Sequence, residues 1–255
     1  MHEVPLQLST ALDRAAATPR LLVTSDFDGT LSPIVNNPSD ARPLPDAARA
    51  LVALAELPAT ASALISGRAL RDLRVLSSMP PSVHMVGSHG AEFDWGFSQE
   101  IDARLLQTIT DTLLSIASDK PGVAVETKPA SVALHVRNAS PTDGEAALAA
   151  AWDASAEWEA HATTGKAVLE FAVISTDKGE AIDVLRERHA ATAVVFFGDD
   201  VTDEKAFRRL RDADVGVKVG PGITLAGLRI DAPEDVAAAL DYLLERRRAE
   251  SRNRT

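Results

Sequence analysis

The sequence predicts a doubly wound α/β fold, a parallel sheet with helices on both faces, interrupted by a smaller α+β module. Two apolar runs predict the sheet: Leu21-Leu22-Val23-Thr24-Ser25 and Ala193-Val194-Val195-Phe196-Phe197. Each runs into acidic residues and then a turn or helix, as buried parallel strands do. The module rests on residues 101–174, which read as two copies of an α-β-β unit.

Between the two runs, Ala59 to Ile65 is a further short apolar strand that ends in Ser66-Gly67-Arg68. Pro45 to Leu57 has helical period, with Leu51, Leu54, Ala55 and Leu57 available to a core. Val83 to Gly87 and Asp214 to Val219 read as strands, and a helix opens at Thr176 and runs to His189. In the middle, the expected order is helix Ile101 to Ser118, strands Val123 to Thr127 and Ser131 to Arg137, helix Pro141 to Ala156, then strands Glu157 to Thr163 and Ala167 to Val173. Val132, Leu134 and Val136 alternate, so one face of this antiparallel sheet is expected under helices and the other free. The predicted domains are therefore 1–100 with 175–255 as the core, and 101–174 as the insertion, both crossings made at one hinge. The Arg246 to Thr255 tail is expected to be a solvated helix end that frays. Trp95, Trp152 and Trp158 are expected to pack at the boundary of the two parts and within the insertion.

Composition narrows the function. At 45% hydrophobic and 25% charged residues the chain is that of an ordinary soluble globular protein. Its 26 basic and 37 acidic residues leave a net charge of −11, a poor match to nucleic acid or an anionic membrane surface. The absence of cysteine excludes disulfides, zinc-thiolate sites, iron–sulfur clusters and cysteine nucleophiles, and fits the cytoplasm. Residues 1–20 carry Glu3 and Asp13 and no apolar run, so no secretory signal is expected there.

Chemistry concentrates at strand ends. Asp26-Phe27-Asp28-Gly29-Thr30 follows the first strand, where α/β sheets bind ligands. Its two carboxylates can both face that crevice, Gly29 permits a sharp turn, and Thr30 offers a hydroxyl to a phosphate oxygen. Gly198-Asp199-Asp200-Val201-Thr202-Asp203-Glu204 follows the second apolar run. Helix dipole stabilisation explains Asp203 and Glu204. It does not explain acid pairs at two separate strand ends, which calls for a cation. Oxygen-only donors point to Mg²⁺ over zinc, and the preceding β segment excludes an EF-hand. Ser66 can hydrogen-bond a phosphoryl oxygen, and Lys178 can set a positive charge against phosphate and nucleophile.

In that order these motifs resemble the haloacid dehalogenase superfamily of aspartate-nucleophile phosphatases, which implies a Rossmann-like core with an inserted cap. The resemblance narrows to the trehalose-6-phosphate phosphatases through Asp26 to Ile34, Ser66 to Arg68, Gly87-Ser-His-Gly-Ala-Glu92 and Gly198 to Glu204. Glu126-Thr-Lys128, Ser131, His135-Val-Arg137 and Val217-Lys-Val-Gly-Pro-Gly222 with Thr224 and Arg229 are similar too. One departure is visible: after Glu170 many relatives carry a basic residue and Pro, where this chain has Ala172-Val173.

The resemblance implies Mg²⁺-dependent hydrolysis of trehalose 6-phosphate. Asp26 would be the nucleophile, Asp28 the acid and then base, with Ser66 and Lys178 as the other catalytic residues. It implies metal binding by Asp26, the Asp28 carbonyl and Asp199, completed by Asp200 or Asp203. It places Thr30, Gly67, Arg68, His89 and Gly90 beside substrate, and Glu126, Lys128, Arg137 and Glu170 on the sugar. The expected partner is a small sugar phosphate, with a monomeric enzyme and a trehalose-phosphate synthase as a possible associate. A capped phosphatase for another sugar phosphate, or a silent regulatory partner of a synthase, are the alternatives.

Overall fold

The structure is a computed structural model that describes residues 4–253; Glu3 and residues 254 and 255 of the basic tail lie outside them. Along the chain run α1 (Leu6–Ala16), β1 (Leu21–Ser25), α2 (Pro45–Ala55), β2 (Thr60–Ile65), α3 (Leu70–Ser77) and β3 (Val83–Gly87). Then come β4 (Glu92–Phe93), β5 (Gly96–Phe97), α4 (Ala103–Ala117), β6 (Ala124–Lys128), β7 (Ser131–His135), α5 (Pro141–Ala154), β8 (His161–Gly165) and β9 (Val168–Ala172). The chain ends with α6 (Lys178–His189), β10 (Ala193–Gly198), α7 (Glu204–Arg209), β11 (Val215–Val219), β12 (Leu228–Ile230) and α8 (Pro233–Asn253).

Among the described residues one sheet has eight strands in the order β12-β11-β10-β1-β2-β3-β4-β5. Its pairings from β12 to β3 are parallel, and β4 joins β3 antiparallel. Double winding is read directly from β10. Ala193, Val195 and Phe197 face one apolar cluster with α1, α2 and α8, while Val194 and Phe196 face another with α6 and α7. A strand buried on both faces has no polar alternation, which is why it reads as a continuous apolar run.

The second sheet, in the order β6-β7-β9-β8, is antiparallel throughout. Val132, Leu134, Leu169 and Phe171 cluster with Ile109 and Leu113 of α4 and Ala147 and Ala151 of α5. The chain divides into two compact units, residues 1–96 with 176–255, and residues 97–175. No helix of the described residues is long and apolar enough to cross a membrane.

Several expectations are corrected. The helix expected from Thr176 starts at Lys178, because the Asp177 carboxylate accepts from the N–H groups of Gly179 and Glu180 at 2.9 and 3.0 Å and so caps it there. The strand expected from Glu157 starts at His161; residues 155–157 continue α5 as a 3₁₀ turn. The free face of the central β7 strand is not free, since Ser131 and Ala133 are buried as well as Val132 and Leu134. Trp158 packs edge-on against Phe171, and Trp95 stacks on Phe93 under Arg188, but Trp152 is half exposed.

The largest correction concerns the tail. Arg247, expected in solvent, is 2% exposed and donates to the carbonyls of Ala16, Thr18 and Ala59 at 2.6–2.7 Å and to Thr60 Oγ1 at 2.9 Å. It ties α8 to the loops that lead into β1 and β2. Sequence reading also passed over α1, α3, and the short strands β4, β5 and β12.

Candidate active site

The first unit gathers its acids at the carboxyl ends of β1 and β10. Asp26 extends β1 by donating its N–H to Phe197 O at 2.9 Å, which delivers its side chain next to the loop after β10. Carboxylate oxygens of Asp26, Asp199 and Asp203 lie within 4.8 Å of one another. Lys178, the first residue of α6, inserts its Nζ at 2.8 Å from Asp26 and 2.7 Å from Asp203.

All three members of these two ion pairs are buried. Burial pushes Asp26 well above the usual carboxylate range, Lys178 opposes that rise, and Asp203 and Asp199 add to it. Burial alone would lower Lys178, yet Asp26 and Asp203 more than offset it and hold the ammonium above its ordinary value. Asp199 is raised by burial as well, against a hydrogen bond from Thr30.

Gly29 shows why this turn needs glycine. Its φ is +77°, and a Cβ there would lie 2.1 Å from an Asp199 oxygen. Thr30, expected to face a phosphate oxygen, instead donates its hydroxyl to Asp199 at 3.1 Å. Asp28 stands apart from the acid cluster. Both its oxygens accept from Arg68, at 2.6 and 2.7 Å, a bidentate pair on the loop after β2.

Ser66 is buried at the end of β2, and its hydroxyl accepts from Arg68 N–H at 3.2 Å. Gly67 sits against the His89 ring, where a Cβ would come within 2.4 Å. The loop that presents His89 is conformationally strained: Ser88, His89 and Gly90 have φ of 49°, 56° and 115°. It is held by Ser88 N–H to Arg68 O at 2.7 Å and His89 N–H to Ser66 O at 3.0 Å. Glu92, quoted in a motif but given no role in the sequence reading, closes it by accepting from Leu70 N–H at 2.7 Å.

Of the second acid motif, Asp203 rather than Asp200 belongs to the cluster. Asp200 is exposed and caps the turn Val201–Asp203, and its N–H, like that of Asp199, is bonded by Asp203 Oδ2 at 2.9 Å. Asp200, expected with Asp203 as an alternative fourth ligand, lies outside the cluster, and its carboxylate serves the local turn.

In the second unit, the register of β6, β7, β9 and β8 aligns Glu126, Ala133, Glu170 and Thr163 in one row across the sheet. Lys128 and Ser131, two residues along their strands, share that face, as does His135. Glu170 accepts from Lys128 at 2.9 Å and from Ser131 at 2.6 Å, and His135 pairs with Glu126 at 2.8 Å. Arg137 lies beyond the last residue of β7 and is exposed, outside this row.

A doubly wound core with an aspartate pair after its first strand, a serine after the second, a lysine opening a later helix and an acid loop after the next strand has the arrangement of the haloacid dehalogenase type. Residues 24–224 match the family described as trehalose-phosphatase. The chain belongs to the trehalose-phosphatase family. It is 35% identical over 242 residues to a trehalose-phosphate phosphatase of Mycobacterium avium, an alignment covering 86% of this chain and 61% of that protein. It is also 35% identical to a bifunctional trehalose-6-phosphate synthase/phosphatase of Thermoproteus tenax, covering 91% of this chain and 33% of that one. The chain thus spans about three-fifths and one-third of those relatives' lengths. Among solved structures, a trehalose-6-phosphate phosphatase of Aspergillus fumigatus superposes with a TM-score of 0.72 at 26% identity, over 96% of this chain and 99% of that one.

Proposed function

We propose that the chain hydrolyses trehalose 6-phosphate to trehalose and phosphate, the closing step of trehalose formation, through an aspartyl-phosphate on Asp26. The observation that carries this reading is the buried Asp26 carboxylate at the end of β1, braced by Lys178 within a cluster of three acids. The family and the names of the relatives support the substrate.

Three carboxylates against one ammonium leave negative charge in a buried place, and their oxygens are the hard donors that Mg²⁺ takes. The residues therefore fit that ion. Asp26 and Asp199, with the Asp28 carbonyl, would hold it, since both oxygens of Asp203 are engaged by Lys178 and two backbone amides. Bound Mg²⁺ would supply the positive charge that lets a carboxylate approach a phosphate dianion.

Asp26 attacks phosphorus and takes the phosphoryl group as the bond to the sugar oxygen breaks. Lys178 holds Asp26 in place and shields its charge. Asp28 gives a proton to the leaving oxygen, then removes one from the water that cleaves the aspartyl-phosphate. Because Arg68 occupies both oxygens of Asp28 here, one must be released before that transfer. Ser66, Gly67, Arg68, His89 and Gly90 lie on the two loops joined beside this site and would meet the phosphate and the scissile end of the sugar. Glu126, Lys128 and Glu170, on one polar sheet face of the second unit, would recognise sugar hydroxyls, with Arg137 at its margin. The acidic, cysteine-free chain is proposed to work in the cytoplasm as a monomer.

Phosphate release from trehalose 6-phosphate, sucrose 6-phosphate, glucose 6-phosphate and a mannosylglycerate phosphate, each with Mg²⁺, tests the reading. Preferred turnover of trehalose 6-phosphate is expected. Release from none of them would make the chain a silent binding relative, and preference for another would reassign the substrate.

A further inference from the structure

The motif Val217-Lys218-Val219-Gly220-Pro221-Gly222, with Thr224 and Arg229 beyond it, has no part in the chemistry above. Lys218 is a lone cation inside the apolar strand β11, and it is 4% exposed. A buried ammonium is strongly disfavoured unless something in the fold partners it. The strand register sets Lys218 beside Gly198, the residue before Asp199. Its Nζ donates to the main-chain carbonyl of Asp199.

The N–H of that same residue is also taken, by Asp203 Oδ2 at 2.9 Å. Two buried side chains, Asp203 and Lys218, therefore fix both main-chain polar groups of Asp199. The carboxylate, which also accepts from Thr30 at 3.1 Å, lies in the acid cluster with Asp26. The segment after Lys218 is tied to the same loop a second time, where Glu204 Oε2 accepts from Leu225 N–H at 2.7 Å. Arg229 braces the intervening turn through the carbonyls of Gly220 and Gly222.

We propose that Lys218 is a positioning residue for the divalent metal, acting through Asp199, whose carbonyl it anchors so that the carboxylate stays turned toward Asp26. The inference rests on the metal reading given above. A nearby cation also repels an incoming metal ion, so the two effects have opposite sign. Lys218 is bonded to the carbonyl and leaves the carboxylate oxygens to the ion, so anchoring dominates. Outer partners that orient a metal ligand change metal affinity by roughly 10- to 100-fold when removed.

The test is Mn²⁺ binding to the purified protein, followed by the electron paramagnetic resonance of the free ion, without substrate or turnover. Lys218→Met should weaken Mn²⁺ binding on the order of 10- to 100-fold, and Lys218→Arg should recover most of it. Circular dichroism and Tm verify that each variant is folded; if the methionine variant is not, Lys218→Leu, which also lacks a donor, gives the same readout. A purely structural lysine would lower Tm and leave the Mn²⁺ dissociation constant of the folded variant unchanged. Unchanged or tighter binding in a folded variant overturns the proposal. Failure of the unaltered protein to bind Mn²⁺ or Mg²⁺ would instead overturn the metal reading, and this inference with it.

Discussion

Two lysine–carboxylate pairs of nearly equal length sit in opposite surroundings. Lys178 meets Asp26 at 2.8 Å with side chains 3% and 6% exposed; Lys128 meets Glu170 at 2.9 Å with side chains 27% and 32% exposed. The first pair cannot exchange its partners for water, so the fold must supply every counter-charge, and does so with Asp203 and the amides around it. The second can trade its partner for water or for a ligand hydroxyl at small cost. A fixed, desolvated charge suits bond making and breaking, which is the same for every phosphate monoester. An exchangeable pair on a sheet face suits discrimination between sugars, because its hydrogen bonds are there to be satisfied or left unmet. On the function proposed above, the comparison would put chemistry in the first unit and specificity in the second.

The largest expected break in this contrast is at Asp26. Asp26→Asn should remove all turnover while far-UV circular dichroism stays unchanged, and acid quench of the unaltered protein during turnover of ³²P-labelled substrate should trap the phosphoryl group on Asp26. No protein-bound phosphoryl group at any quench time would mean that water attacks the substrate directly. Chelation comes next: activity should vanish with EDTA and return with Mg²⁺, and full activity after exhaustive chelation would remove the ion from the account.

Lys178→Met probes the buried pair as a structural element. Removing one partner of a buried ion pair costs about 3–5 kcal/mol, so denaturant titration should show a loss of that order. Lys128→Ala, at a partly exposed pair, should cost no more than about 1 kcal/mol. Equal losses at the two lysines would erase the distinction between the regions.

Much of the first region was legible because its signals are local. A buried parallel strand is a continuous apolar run, and acids directly after it, at Asp26, Asp28 and Asp199, stand out against it. The polar row of Glu126, Lys128 and Glu170 was legible only through the family resemblance; the register that aligns it comes from pairing across β6, β7 and β9. What stayed hidden depends on partners remote in sequence. Arg247 takes carbonyls of residues 16, 18 and 59, so its local context of charged neighbours points to solvent. Lys218 breaks an apolar strand, which is a visible signal, but its acceptor is a main-chain carbonyl that no sequence pattern marks. The choice between Asp200 and Asp203 was likewise closed to sequence, since both are acids in one turn and only the fold buries Asp203 beneath the loop.

The central claim is that specificity and chemistry live in different units, and substrate-dependent kinetics test it most directly. Losing one charged hydrogen bond costs roughly 1.5–3 kcal/mol, or on the order of 10- to 150-fold in kcat/KM. Lys128→Ala and Glu170→Ala should each lower kcat/KM for trehalose 6-phosphate by about that factor. The same variants should hydrolyse p-nitrophenyl phosphate, which has no sugar to recognise, at the unaltered rate. An equal fall for both substrates would contradict the division and return Lys128 and Glu170 to a general structural role.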